Sequence, residues 1–166
     1  MNTPLVGIVM GSDSDWPSVS KARDILKEFG IAYEVRVISA HRSPDIAFEY
    51  ASSARGRGLK TIIAAAGGAA HLAGVLAAHT TLPVIGIPVQ GGAVNGLDAL
   101  LATVQMPAGI PVATVALGSA GPTNAALLAV QIIGVCDADV AKALADYKTR
   151  LRAKVIDADA KLQADA

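Results

Sequence analysis

Three short segments carry the side chains best suited to chemistry: Gly11-Ser12-Asp13-Ser14-Asp15, Ser39-Ala40-His41-Arg42-Ser43-Pro44 and Gly67-Gly68-Ala69-Ala70-His71. The second is the sharpest. Arg42 has a planar fork that grips a phosphate bidentately, and His41 beside it is the side-chain type whose ordinary pKa suits proton transfer near neutral pH. The first segment offers Gly11 for close backbone approach, the Ser12 and Ser14 hydroxyls for phosphate or carboxylate oxygens, and two acids, one of which can hold ribose hydroxyls. Ser14 or Asp15 can equally serve only to cap a helix. In the third, Gly67 to Ala70 carry almost no side chain, so a ligand can touch backbone there and bulk is excluded. His71 follows in an apolar setting, as a ligand contact or as a satisfied structural histidine. His79, on the far side of the same expected helix, reads as structural.

Other chemistries lack their signatures. The three histidines have neither the acid partners nor the close spacing of a metal site, so no metal is expected. There is no G-x-G-x-x-G and no P-loop, and nothing marks one serine as an activated nucleophile. Two further loops, Pro88 to Gly96 and Gly118 to Ala126, follow later strands. The glycines of the first suggest a tight cover over the same rim, with Gln90 as a neutral amide; the second reads as a helix start.

These loops need a scaffold that presents them together. Apolar runs of strand type recur at Leu5 to Met10, Tyr33 to Ile38, Thr61 to Ala66, Pro83 to Pro88 and Val112 to Leu117. Segments of helical length lie between them, at Pro17 to Phe29, Pro44 to Arg57, Ala70 to His79, Gly96 to Val104 and Pro122 to Val135. Continuous apolar strands alternating with helices predict an α/β fold, a doubly wound parallel sheet covered on both faces. In such a sheet ligands bind at the carboxyl ends of the strands, where each functional loop falls. Pro17 suits the first position of a helix and Gly30 its left-handed end. Residues 137–166 form a charged run with Val140, Leu144, Tyr147 and Leu151 at helical spacing. One long C-terminal helix is expected there, packed partly on a neighbour.

Composition narrows the function. Lys plus Arg and Asp plus Glu number 14 each, so no net field draws the chain to nucleic acid or an anionic membrane. The single cysteine, Cys136, suits a reducing compartment, and the segment Met1 to Met10 lacks the basic start of an export signal, so the cytoplasm is expected. Between residues 61 and 136 the only charged side chain is Asp98. Prolines and paired glycines interrupt that stretch before it reaches the roughly 20 apolar residues of a membrane span. A chain of 166 residues is expected to be one domain. It buries its apolar middle in its own core and against copies of itself, which predicts a homo-oligomer.

Together the motifs form a pattern. Val9-Met10-Gly11-Ser12-Asp13-Ser14-Asp15-Trp16, Ser39 to Pro44, Gly67 to Leu72, Gly86-Ile87-Pro88-Val89-Gln90, Val104-Gln105-Met106-Pro107 with Gly109-Ile110-Pro111-Val112, and Asn124 to Leu128 stand in register along the chain. This set resembles the catalytic subunit of phosphoribosylaminoimidazole carboxylase, and is most similar to the bacterial N5-carboxyaminoimidazole ribonucleotide mutase class. The resemblance implies a flavodoxin-like three-layer sandwich assembled as a homo-octamer. It implies conversion of N5-carboxyaminoimidazole ribonucleotide into 4-carboxy-5-aminoimidazole ribonucleotide, without cofactor, ATP or metal. By that likeness His41 carries the protons, Asp15 the ribose hydroxyls and Arg42 the phosphate. Ser12, Ser14, Ser39, Gly67, Gly68, Ala70 and His71 complete the substrate-binding set. A transient contact with the carbamate-forming synthetase would belong to the same picture. Ala65 stands where the family often has glycine, and Ala73 where it often has proline; the Ala65 methyl is expected to tighten the pocket. Two alternatives stay open: direct carboxylation of aminoimidazole ribonucleotide by carbon dioxide, and a non-catalytic flavodoxin-like nucleotide-binding or flavin-binding module.

Overall fold

In a computed structural model, which describes residues 3–165, five strands form one all-parallel sheet. They are β1 (Val6–Met10), β2 (Tyr33–Val37), β3 (Thr61–Ala66), β4 (Val84–Pro88) and β5 (Ala113–Thr114), in the spatial order β2-β1-β3-β4-β5. That order is the flavodoxin-like one. The expected ends of the domain at residues 1–2 and 166 lie outside the described residues.

The sheet's period of two sorts its side chains into two cores. Val6, Ile8 and Met10 of β1, Ile63 and Ala65 of β3, and Ile85 and Ile87 of β4 face α1 (Trp16–Glu28) and α5 (Gly121–Gly134). Val9, Ile62, Ala64 and Val84 face α2 (Pro44–Ala54) and α3 (Leu72–Ala78). Adjacent residues of one strand thus fill opposite cores, which is why these strands read as continuous apolar runs. A fourth helix, α4 (Leu97–Val104), packs on β4 and β5.

Local signals act as chain chemistry dictates. Pro17 sits in the first turn of α1, which buries Val19, Ala22 and Leu26. The helix stops at Gly30, whose φ is 67°: its N–H donates to the Lys27 carbonyl and that of Ile31 to the Leu26 carbonyl. This is a Schellman end, and it needs a residue without Cβ strain at Gly30. The β2–α2 unit is fastened by an Arg57–Glu34 ion pair of 2.6 Å, with the Arg57 guanidinium 4.7 Å from the Tyr50 ring centre. Burial, reinforced by Glu34, pushes the Tyr50 phenol well above its ordinary range.

Several boundaries differ from expectation, most by one residue; α2 ends at Ala54, three residues before the expected Arg57. The third helix begins at Leu72, not Ala70, because Ala70 takes a left-handed φ of 43° and His71 occupies the cap position. The fifth strand pairs only at Ala113 and Thr114, beside Ile85 and Gly86 of β4 at the edge of the sheet. The C-terminal helix α6 runs Ala138–Asp165, with the Asp137 carboxylate accepting from the amides of Asp139 and Val140. It packs on α5, sets Tyr147 5.5 Å from Phe29 and pairs Arg150 with Glu28 at 2.8 Å. No residue of α6 is buried, and its described part from Leu151 onward is exposed throughout. No helix among the described residues is long and apolar enough to cross a membrane.

Candidate active site

Parallel register brings the carboxyl ends of the central strands to one rim: Met10 lies beside Val37 and Ala65, and Ala66 beside Pro88. The loops after β1, β2 and β3 meet there around a cavity of about 540 Å³. Of the ten residues anticipated for the site, Ser12, Asp15, Ser39, His41, Arg42, Gly67, Ala70 and His71 line it. Ser14 and Gly68 do not. The Ser14 hydroxyl instead donates to the Ser12 hydroxyl at 2.8 Å, and Gly68 supplies a left-handed turn at φ 61°.

Each loop is held by its own bonds. After β1, the chain makes a short 3₁₀ turn, Asp13–Asp15, capped by the Ser12 hydroxyl, which accepts from the Ser14 amide. Ser12 thus caps the short turn and not α1, whose cap position is held by Asp15, one of the two residues expected there, though without a side-chain cap bond. Half-buried at the cavity, the Asp15 carboxyl is pushed above its ordinary value by burial. The Ser12 amide opposes that shift and the Asp13 charge adds to it.

After β2, the Ser43 hydroxyl both accepts from the Ser39 amide and donates to the Ser39 carbonyl, pinching the loop at its base. The Ser39 hydroxyl accepts from the Arg42 amide at 3.2 Å and from Arg42 Nε at 3.3 Å, while Arg42 Nη2 donates to the Gly11 carbonyl at 2.8 Å. Arg42 thus ties the second loop to the first. Its remaining guanidinium N–H groups can receive an anion in a fixed orientation.

His41 Nε2 lies 2.8 Å from His71 Nδ1, the rings edge to face with centres 4.9 Å apart. Such a contact needs one ring N–H and one lone pair, so it aligns the two imidazoles and gives a proton a path between them. Nothing in the sequence marked this pairing across 30 positions. Gly11, offered for close backbone approach, lines the cavity too; Ala40, Ala66 and Leu72 complete the wall and were not anticipated as contacts. Ala66 could have been found as the last residue of its strand, at the rim.

Other expectations are corrected. Ala65 points into the α1/α5 core and does not line the cavity, so its methyl does not tighten it. The loop after β4 does not cover this site: Gln90 donates to the Asn95 side chain and lines a separate cavity of about 380 Å³ beside Lys21, Gly118 and Ser119. His79, in keeping with its structural reading, lies away from the cavity, edge-on to Phe48 with ring centres 4.8 Å apart.

Comparison with known proteins settles the lineage. The sequence pattern of the family described as AIR carboxylase matches residues 5–154. This chain belongs to the AIR carboxylase family. Among its AIR carboxylase relatives, the N5-carboxyaminoimidazole ribonucleotide mutase of Bacillus subtilis is 55% identical over 159 residues, covering 96% of this chain and 98% of the relative. The mutase of Thermotoga maritima is 51% identical over 160 residues, covering 96% and 92%. In three dimensions, Treponema denticola PurE superposes with a TM-score of 0.86 at 32% identity, over 96% of this chain and 98% of that one.

Proposed function

We propose that this chain is an N5-carboxyaminoimidazole ribonucleotide mutase, turning that substrate into 4-carboxy-5-aminoimidazole ribonucleotide in purine biosynthesis. The observation that carries the reading is the convergence of His41, Arg42 and Asp15 on one cavity at the sheet's carboxyl rim. Arg42 takes the phosphate and Asp15 accepts the ribose hydroxyls, with the Ser12 and Ser39 hydroxyls between them. Ser14 and Gly68 act behind these contacts by shaping their loops.

The chemistry asks for one proton carrier used twice. Cleavage of the carbamate N–C bond leaves its electron pair on the exocyclic nitrogen, which takes a proton from His41 as carbon dioxide departs. The ring carbon then attacks carbon dioxide, and the proton on that carbon returns to His41. The histidine ends as it began, and no ATP, metal or redox group is consumed. His71, bonded to His41, orients it and the carboxylate. The small residues Gly67 and Ala70 leave room for the migrating carboxylate beside it.

Exposed apolar residues on α4 (Leu97, Leu101 and Val104) and on α6 (Leu151, Val155 and Leu162) support assembly with further copies of the chain, read as a homo-octamer. One mutase domain with residues 137–166 as a helical extension, a cytoplasmic location and a transient contact with the carbamate-forming synthetase complete the proposal.

Freshly prepared N5-carboxyaminoimidazole ribonucleotide should be converted much faster than aminoimidazole ribonucleotide plus bicarbonate. Preference for the second pair would make the chain a direct carboxylase, and no reaction with either would leave a binding module.

Asp15 adds a test that separates binding from stability. Its folded pKa is raised, so below the ordinary aspartate value of about 3.9 both folded and unfolded chains are protonated and burial costs nothing. As pH rises from there through the raised value, the folded chain must carry a half-buried charge, and stability is lost. Asp15→Asn should therefore stabilise the fold at pH 7, seen as a small rise in Tm, by less than about 1 kcal/mol because solvent screens a half-exposed group, and the gain should vanish near pH 3. The same variant should raise KM about tenfold or more, the equivalent of about 1.4 kcal/mol of lost hydrogen bonding to a charged group. Unchanged KM would remove Asp15 from the ribose contact.

A further inference from the structure

Ser43 stands where its residue type usually serves one purpose and directs its hydroxyl to another. It holds the N-cap position of α2, directly before Pro44, where a serine side chain ordinarily accepts from a free amide of the first turn. Here it makes no such bond. Its hydroxyl turns back to the catalytic loop, accepting from the Ser39 amide and donating to the Ser39 carbonyl, each at 3.0 Å. The Ser43 amide adds a third bond to that carbonyl at 2.9 Å. Among the described residues, every hydrogen bond of the Ser39 backbone therefore ends on Ser43.

What hangs on Ser39 is the grip on an anion. Its side-chain oxygen accepts from the Arg42 amide and from Arg42 Nε, which occupies both lone pairs and leaves the hydroxyl proton for a ligand oxygen. Ser39, Ala40, His41 and Arg42 line the cavity, and Ser43 does not. His41 has a support outside its loop in His71, at 2.8 Å, and Arg42 Nη2 has one in the Gly11 carbonyl. The Ser39 backbone has Ser43 alone, and Arg42 Nε is aimed by Ser39.

We infer that Ser43 is a positioning residue: it leaves α2 without a side-chain cap in order to fix the Ser39 backbone, and through the Ser39 hydroxyl it sets the orientation in which Ser39 and Arg42 receive the phosphate. This rests on the mutase reading, in which Arg42 takes that group. The physical reason is preorganisation. Donors held in place before the ligand arrives lose little freedom on binding, whereas a loop that the ligand itself must order gives part of the interaction energy to that ordering. One hydroxyl accepts and donates at once, which serine and threonine can supply at this position and alanine cannot.

The test is steady-state kinetics of the full-length protein with N5-carboxyaminoimidazole ribonucleotide, Tm being read alongside. Ser43→Ala should raise KM about tenfold, the equivalent of one or two ordinary hydrogen bonds. Its kcat should stay within about threefold of wild type, because a phosphate remote from the reacting atoms is bound alike in ground and transition states. Ser43→Thr keeps the hydroxyl and should bring KM back to within about threefold of wild type. Ser43→Gly, a residue type that helix starts tolerate, replaces the alanine variant if that does not fold and carries the same expectation. The deciding measurement is a double-mutant cycle: in an Arg42→Ala background, Ser43→Ala should change kcat/KM by less than about twofold, because the group it positions is gone. Losses that multiply in the double variant, a fall in Tm with KM unmoved, or no recovery with threonine would overturn the inference while leaving the mutase reading intact. A wild type that does not convert the carbamate would sink the mutase reading and this inference with it.

Discussion

His41→Asn should lower kcat for the carbamate by about 10³-fold or more while leaving substrate affinity within a few-fold of wild type. Asparagine preserves much of the size and hydrogen-bonding reach of the imidazole but cannot carry a proton. General acid–base catalysis is worth about 10²–10⁴ per proton transfer, and the upper part of that range applies because the same side chain serves both the protonation of nitrogen and the deprotonation of carbon. Single-turnover assays and equilibrium binding of the product measure the two quantities separately. A variant that keeps turnover would remove His41 from the chemistry. A variant that loses binding along with turnover would place it in recognition and not in proton transfer.

Arg42→Ala should have the next largest effect and the opposite kinetic signature. Arg42 spends Nε on the Ser39 hydroxyl and Nη2 on the Gly11 carbonyl, so its free N–H groups face the cavity with little freedom to lose on binding. Losing a charge-assisted contact to phosphate costs about 2–3 kcal/mol, or roughly 30- to 150-fold in kcat/KM, most of it in KM because a remote phosphate is bound alike in ground and transition states. The tie between the first two loops is lost as well. Arg42→Lys should recover only a small part of the loss, since an ammonium cannot span the Ser39 and Gly11 acceptors and a phosphate together. Substrate truncated to the nucleoside provides the control: the difference between wild type and variant should shrink to the part owed to loop order, and an undiminished difference would show that Arg42 acts through loop order alone.

The two predictions draw on different levels of information. The identity of His41 and Arg42, and their place after a strand and before a Pro-initiated helix, could be read in the chain. So could the sheet itself, since the strands are short continuous apolar runs, each ending where functional residue types begin, and parallel crossovers send all those ends to one rim. Gly30 announced the left-handed helix end that it makes. These features are legible because they depend on residues near one another in sequence, or on a topology with few alternatives.

What only the tertiary structure decided lies in contacts across many residues and in backbone angles that composition does not dictate. The 2.8 Å approach of His41 to His71 depends on how far two loops lean together, and the Arg42–Gly11 bond on where the first loop turns. Asp15 stands at the cap position of α1 without a side-chain bond there, while the Ser12 hydroxyl caps a short 3₁₀ turn before the helix, a turn that the path of the chain and not composition introduces. Ala65 and Ala66 are identical in type, yet one faces the core and the other the cavity, a difference set by strand register. Gln90 read as a member of the site and was instead engaged by Asn95 in its own loop. Ala70 read as a small residue opening a helix; its left-handed backbone appeared only when the turn had to join β3 to α3 with His71 aimed at His41. The residue types and their rim were determined by local chemistry and by the handedness of parallel crossovers, whereas the distances that let them act together were determined by long-range packing, which no short stretch of the chain encodes.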